Sequence, residues 1–226
     1  MVVGSFQFWG KVEELHQTSA RHRSNRSGVL SGLGSDSYPV PLSFLGSYYD
    51  SSLAYAWTLW GPEFAAAPAT AITAGFMHID VGHLTLNMCL LVFIGREIEQ
   101  ALGHALYAAS YVVSVLGASA AVLWMDYDAP TVGASGALYA LLAMLVGVYR
   151  SRGMDLRAPI FLVLANVVYT FIMSGVSLWG HLGGLLIGIV LTLFLFSRRK
   201  AVHWIGVAAV FGVVGVLLAL RAGLWG

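Results

Sequence analysis

Apolar runs separated by short polar joints dominate this chain from Leu84 onward. They cover Leu84–Ala101, His104–Trp124, Ser135–Val148, Ala158–Met173, Leu178–Phe196 and Trp204–Leu220. Each is long enough, or nearly so, to cross a hydrocarbon layer of about 30 Å. Backbone groups in such a layer must bond within their own segment, so the runs are predicted to be helices. A further span is expected within residues 38–60, although Tyr48-Tyr49-Asp50 interrupts it. Residues 1–37 are rich in Ser, Gly and Arg without sustained periodicity and read as a flexible cytoplasmic tail.

Composition sharpens this into a fold class. The 226 residues are 58% hydrophobic and 10% charged, with mean hydropathy +0.77, which describes an all-α polytopic membrane protein. The one cysteine, Cys89, lies inside a span, so no intrachain disulfide is available. A net charge of +1 gives no reason to expect nucleic acid; the placement of the charges says more. If the Ser135 span runs inward, then Arg150, Arg152, Arg157, Arg198, Arg199, Lys200 and Arg96 all fall on the cytoplasmic side. A crossing within 38–60 adds Lys11, Arg21, Arg23 and Arg26, leaving Arg221 alone outside among twelve Lys and Arg. That is the positive-inside asymmetry, and it predicts a cytoplasmic N-terminus.

The topology gives chemical meaning to a few polar residues. Gly133-Ala134-Ser135-Gly136 places a serine between glycines at the start of the fourth span, where unpaired N–H groups and the helix dipole favour negative charge. His83 and Asn87, four apart, share one face of the second span. Paired polar groups in a membrane helix are expected to face the bundle interior. His78 falls on a different face and reads as a loop or cap residue with scope for organising water. In the sixth span His181, Gly184 and Gly188 form one face, whose missing side chains would let the fourth span approach closely.

The second, fourth and sixth spans run in the same direction. His83, Ser135 and His181 each lie within about two turns of their starts, at about 5.4 Å per turn, and so at similar depth. A hydroxyl, two imidazoles and an amide at one level constitute a candidate acyl-transfer site. Ser135 is the expected nucleophile and His181 its general base. His83, Asn87 and the Ser135 N–H are the expected oxyanion donors, and Tyr139, one turn below Ser135, is placed to pack on the His181 ring. No carboxylate belongs to these motifs, so a Ser–His dyad is predicted; the alternative is a third member drawn from Asp80, Asp126 or Asp128, each of which sits in an outer loop. Nothing here calls for a cofactor or a metal. The fifth span reads as structural, and the seventh, with Gly212 and Gly215, is assigned no chemistry.

These residues resemble the rhomboid family of intramembrane serine proteases. The likeness rests on Phe76-Met77-His78, His83-Leu84-Thr85-Leu86-Asn87 and Gly95, then Gly133-Ala134-Ser135-Gly136 with Tyr139, then Gly180-His181-Leu182-Gly183-Gly184 with Gly188, over about residues 70–195. It implies a six-helix catalytic bundle, here 38–197, with an added seventh helix in 198–226. It also implies a cavity open to the outer side, cleavage of transmembrane protein substrates near the outer membrane face, and the same roles for Ser135, His181, His83 and Asn87. The short build resembles prokaryotic plasma-membrane members. The family usually carries Trp-Arg in the loop before the second span, where this chain reads Ala67-Pro68-Ala69-Thr70-Ala71; that departure bears on substrate entry and removes no catalytic group. Two other classes compete with a protease. A rhomboid-like protein that binds membrane helices without cutting them would be expected to lack the dyad. A transporter using His83 and His181 as a proton relay would need a continuous polar path, which the clustering of these groups near one face does not supply.

Overall fold

The computed structural model describes residues 52–173 and 175–223. The expected tail and most of the expected 38–60 span lie outside them; the end of that span is helical as α1, Ser52–Trp57. Two single-turn helices follow, α2 at Gly61–Phe64 and α3 at Thr70–Thr73, with a 3-10 turn at Ala74–Phe76. Six long helices come next: α4 Val81–Leu102, α5 His104–Met125, α6 Ser135–Ser151, α7 Arg157–Ile172, α8 Leu178–Leu195 and α9 Lys200–Arg221. Each coincides with an apolar run read from the sequence, to within a few residues at its ends. Between the described residues Leu59 and Thr131 there is one isolated antiparallel bridge.

Four of the long helices, α4, α5, α8 and α9, are long and apolar enough to cross a membrane. The other two are shorter. At 17 residues, α6 measures about 26 Å at 1.5 Å per residue. Its burial explains the shortness: every residue from 136 to 145 is buried, as are Gly147 and Val148. A helix that is apolar all round sits in the middle of a bundle, and neighbours rather than lipid surround this one. The outer helices carry the lipid-facing surface, with Val92 and Phe93 on α4, Phe161 and Ile172 on α7, Leu186 and Leu193 on α8, and Ile205 and Val213 on α9 all exposed. So many large apolar side chains on every side suit hydrocarbon rather than water. The chain is an integral membrane protein.

Close contact between α6 and α8 holds the centre together. A methyl group on Gly184 would overlap the Gly136 carbonyl, and one on Gly188 would overlap the Ala140 backbone. The added helix α9 packs on α5 and α8. Trp124 Nε1 donates to the Leu217 carbonyl at 3.2 Å, and the Arg221 guanidinium lies 4.9 Å from the Trp124 ring and 4.6 Å from that of Tyr127. At the opposite end Arg152 pairs with Glu97 at 3.1 Å, an exposed contact of small energetic consequence.

Candidate active site

Three helix starts converge at one end of the bundle, and local chemistry sets each of them. Asp80 caps α4, its side chain accepting from the His83 N–H at 2.7 Å. Ser177 caps α8 by accepting from the Gly180 N–H at 3.2 Å. Each cap is worth about 1 kcal/mol, and each places a histidine in or just after the first turn of its helix. The start of α6 is positioned by tertiary contacts instead. Thr131 exchanges backbone hydrogen bonds with Leu59, at 3.1 and 2.8 Å, and the Gly133 N–H donates to the Ala74 carbonyl at 2.9 Å. Gly133 has φ +123, a conformation open to glycine and strained for other residues. A methyl there would also stand 2.8 Å from His83 Cε1 and 3.7 Å from Ser135 Oγ. The bare backbone of Gly133 therefore lies between the imidazole and the hydroxyl.

Ser135 is the first residue of α6, and its Oγ lies 2.8 Å from His181 Nε2. At that distance an imidazole can take a hydroxyl proton. The other ring nitrogen, Nδ1, is 2.9 Å from the Thr170 hydroxyl on α7. The Tyr139 ring stacks on the His181 ring with centroids 4.2 Å apart and planes inclined by 9°. The Tyr139 hydroxyl reaches the Asn166 carbonyl and the Thr170 hydroxyl. His181 and Thr170 are both buried, at 4% and 5% exposure.

The second-span residues form the opposite side. Asn87 is buried, and its Nδ2 donates to the His83 carbonyl at 2.8 Å, which commits one amide hydrogen and leaves the other available. His83 Nδ1 and His78 Nε2 are buried without a protein partner, and the two rings meet edge to face at 5.1 Å. His78 lies in the loop before α4. Burial, with the neighbouring His83 second, lowers its pKa from 6.5 to about 4. A recess of about 30 Å³ opens beside Gly133, Ser135, Gly136 and His181 and continues past Ser119 and Val122 of α5. That exceeds the roughly 10–15 Å³ needed to hold one water.

The structure thus brings Ser135, His181, Tyr139, Gly133, Gly136, Gly184 and Gly188 together, with His83 against Gly133, His78 against His83, and Asn87 beneath His83. The fifth span, expected to be mainly structural, also reaches the site: its Thr170 bonds His181 and its Asn166 carbonyl accepts from Tyr139. Asn166 and Thr170 are four apart in an apolar run, the same signal that singled out His83 and Asn87. Asp80, the acidic residue closest in sequence to the site, is occupied as a helix cap.

Comparison with known proteins identifies the family. The Rhomboid domain family model matches residues 66–198, well over half of the chain. Rhomboid-related protein 3 of Homo sapiens is 27% identical over 186 residues, covering 71% of this chain and 45% of that protein. RHOMBOID-like protein 5 of Arabidopsis thaliana is 32% identical over 138 residues, covering 57% and 44%. Rhomboid protease GluP of Bacillus subtilis (strain 168) is 31% identical over 123 residues, covering 52% and 24%. The chain spans less than half the length of each of these relatives. The matched region runs from just before α3 to the end of α8 and contains every helix start that converges on Ser135; this chain belongs to the rhomboid family.

Proposed function

We propose that the protein is an intramembrane serine endopeptidase that hydrolyses peptide bonds in or beside the membrane spans of other proteins. The observation that carries the reading is the 2.8 Å contact between Ser135 Oγ and His181 Nε2 at the first residue of a central helix. His181 Nε2 takes the hydroxyl proton as Oγ bonds to the scissile carbonyl carbon. The negative charge that develops on the carbonyl oxygen is met by the Ser135 N–H, with His83 and Asn87 as side-chain donors. Such a donor is worth roughly 3–4 kcal/mol in serine hydrolases. The C–N bond then breaks, and the imidazolium returns its proton to the leaving amine. Water then attacks the acyl carbon as His181 Nε2 takes its proton; the bond from that carbon to Oγ breaks, the imidazolium returns the proton to Ser135 Oγ, and the new carboxyl end departs.

Substrates are membrane proteins with a locally unwound stretch, because a regular helix hides its carbonyls from attack. The small recess beside Ser135 and Gly136 favours small residues at the cut. The basic side of the chain, with the N-terminus, is assigned to the cytoplasm on the charge asymmetry, which puts the site near the outer face. The similar proteins come from bacterial, plant and animal sources.

A fluorophosphonate probe should label Ser135, and reconstituted protein should cut a panel of transmembrane substrates. Both activities should vanish in Ser135→Ala, and His181→Ala should greatly weaken them. Labelling that survives both substitutions would overturn the reading. Retention of substrates without cleavage by probe-reactive protein would favour a helix-binding role instead.

A further inference from the structure

We propose that Thr170 is a positioning residue for His181: its hydroxyl accepts the Nδ1 hydrogen and so holds the ring in the tautomer whose Nε2 lone pair faces Ser135. The proposal rests on the protease reading above and goes beyond it by recruiting the fifth transmembrane helix, α7, to the reaction.

A neutral imidazole carries one hydrogen, on either nitrogen, and only the Nδ1–H form can take a proton at Nε2. A hydroxyl at Nδ1 does not by itself choose between the forms, since it can donate as well as accept. The surroundings of Thr170 favour the accepting role. Its Oγ1 lies 3.1 Å from the Asn166 carbonyl, an acceptor with no hydrogen to offer. The Tyr139 hydroxyl also approaches Thr170 Oγ1 and can itself donate to that carbonyl. With the threonine hydrogen directed to the carbonyl, its lone pairs remain for Nδ1–H at 2.9 Å. Thr170, Tyr139 and His181 are buried, so water does not compete at the contact between Thr170 and Nδ1. Tyr139 holds the plane of the ring by stacking, and Thr170 holds its rotation within that plane.

A threonine differs from the carboxylate of a Ser-His-Asp triad in one respect. It orients the ring and selects the tautomer, but adds no charge to stabilise the imidazolium. Its removal should therefore cost less than that of a triad aspartate, whose conversion to asparagine lowers kcat about 10⁴-fold. The deleted contact is one buried hydrogen bond, for which a loss of about 10- to 100-fold in kcat is expected.

The experiment measures cleavage of a reconstituted transmembrane substrate, together with the rate of fluorophosphonate labelling, for the native chain, Thr170→Val, Thr170→Ala and Thr170→Ser. Melting temperatures in detergent monitor folding. Thr170→Val keeps the shape and removes the hydroxyl; kcat and labelling rate should fall about 10- to 100-fold with KM nearly unchanged. Thr170→Ser should recover most of the rate. Thr170→Ala against Thr170→Ser, which differ by one hydroxyl oxygen, makes the same comparison should valine disturb the packing. Support requires the hydroxyl-bearing chains to exceed the hydroxyl-free ones in kcat at matched melting temperature. Equal kcat for Thr170→Ser and Thr170→Ala, or a loss confined to KM, overturns the proposal while the labelled, active native chain leaves the protease reading standing. A native chain that neither cleaves nor is labelled at Ser135 overturns both.

Discussion

Adding one methyl group at Gly184 gives a sharp test of how the site is assembled. Gly184 lies one turn below His181 on α8, and Gly136 follows Ser135 on α6, so the contact between the two glycines sets the distance between the helices that carry Ser135 and His181. A Cβ on Gly184 would overlap the Gly136 carbonyl oxygen and stand 2.7 Å from its carbon and 3.2 Å from its Cα. Ordinary carbon contacts lie near 3.5–4.0 Å, so the helices must separate by roughly 1 Å. Backbone lies on both sides and no side chain can rotate away. The Ser135–His181 contact at 2.8 Å would then exceed hydrogen-bonding length, and a misplacement of that size costs about 100-fold in rate. Overpacking destabilises by about 1–3 kcal/mol, more than the roughly 1 kcal/mol that alanine gains over glycine in a helix. The assay is substrate cleavage and fluorophosphonate labelling of Gly184→Ala in liposomes, with melting followed in parallel. Gly212→Ala on α9 is the control, because a Cβ there meets nothing within 4 Å, and it should retain native activity. Cleavage by Gly184→Ala within about threefold of native, at an unchanged melting temperature, would refute the claim that this contact sets the distance from Ser135 to His181.

Other perturbations probe neighbouring parts. Gly133→Ala forces φ +123 on a residue with a side chain and drives a methyl toward His83; it should cut cleavage by at least about tenfold and lower stability by about 1–3 kcal/mol, and native-like kinetics would count against this placement of His83. His78 has its pKa lowered to about 4 by burial first and His83 second, so the folded state favours its neutral form. Its contribution to stability is complete above pH 6.5 and is lost as pH falls toward 4. His78→Gln should therefore show a shallower fall in melting temperature across that interval than the native chain, and identical slopes would contradict the assignment. Arg221→Ala removes a cation from two aromatic faces and should lower stability by about 1–2 kcal/mol, with Arg221→Lys intermediate; an unchanged melting temperature would show that these contacts do not anchor α9.

The positions of α4 to α9 could be read from the chain because lipid imposes a simple rule: an apolar run of sufficient length must close its backbone hydrogen bonds internally. The same rule made isolated polar residues conspicuous, which is how Ser135, His181, His83 and Asn87 stood out. It served less well at α6, whose apolar run suggested an ordinary span and which is instead a short, wholly buried helix. Length and hydropathy cannot distinguish an apolar helix that faces lipid from one that faces other helices.

Pairing was the other matter left to the tertiary structure. The spacing of His181, Gly184 and Gly188 indicated a close neighbour, and the small residues of Gly133 to Gly136 suggested which one. The four-residue spacing of Asn166 and Thr170 marked a polar face on the fifth span, but not that this face would meet His181 Nδ1. Threonine is common in membrane helices, where its hydroxyl can bond to the carbonyl one turn back, as Thr170 does with Asn166. Whether it also meets a histidine depends on the rotation and tilt of α7 against α8, which arise from packing over the whole helix and leave no local trace in sequence. Apolar length and the spacing of polar residues therefore determined the helices and the dyad candidates. The third partner of the histidine, the burial of α6 and the role of Gly133 between His83 and Ser135 were decided only when the helices packed.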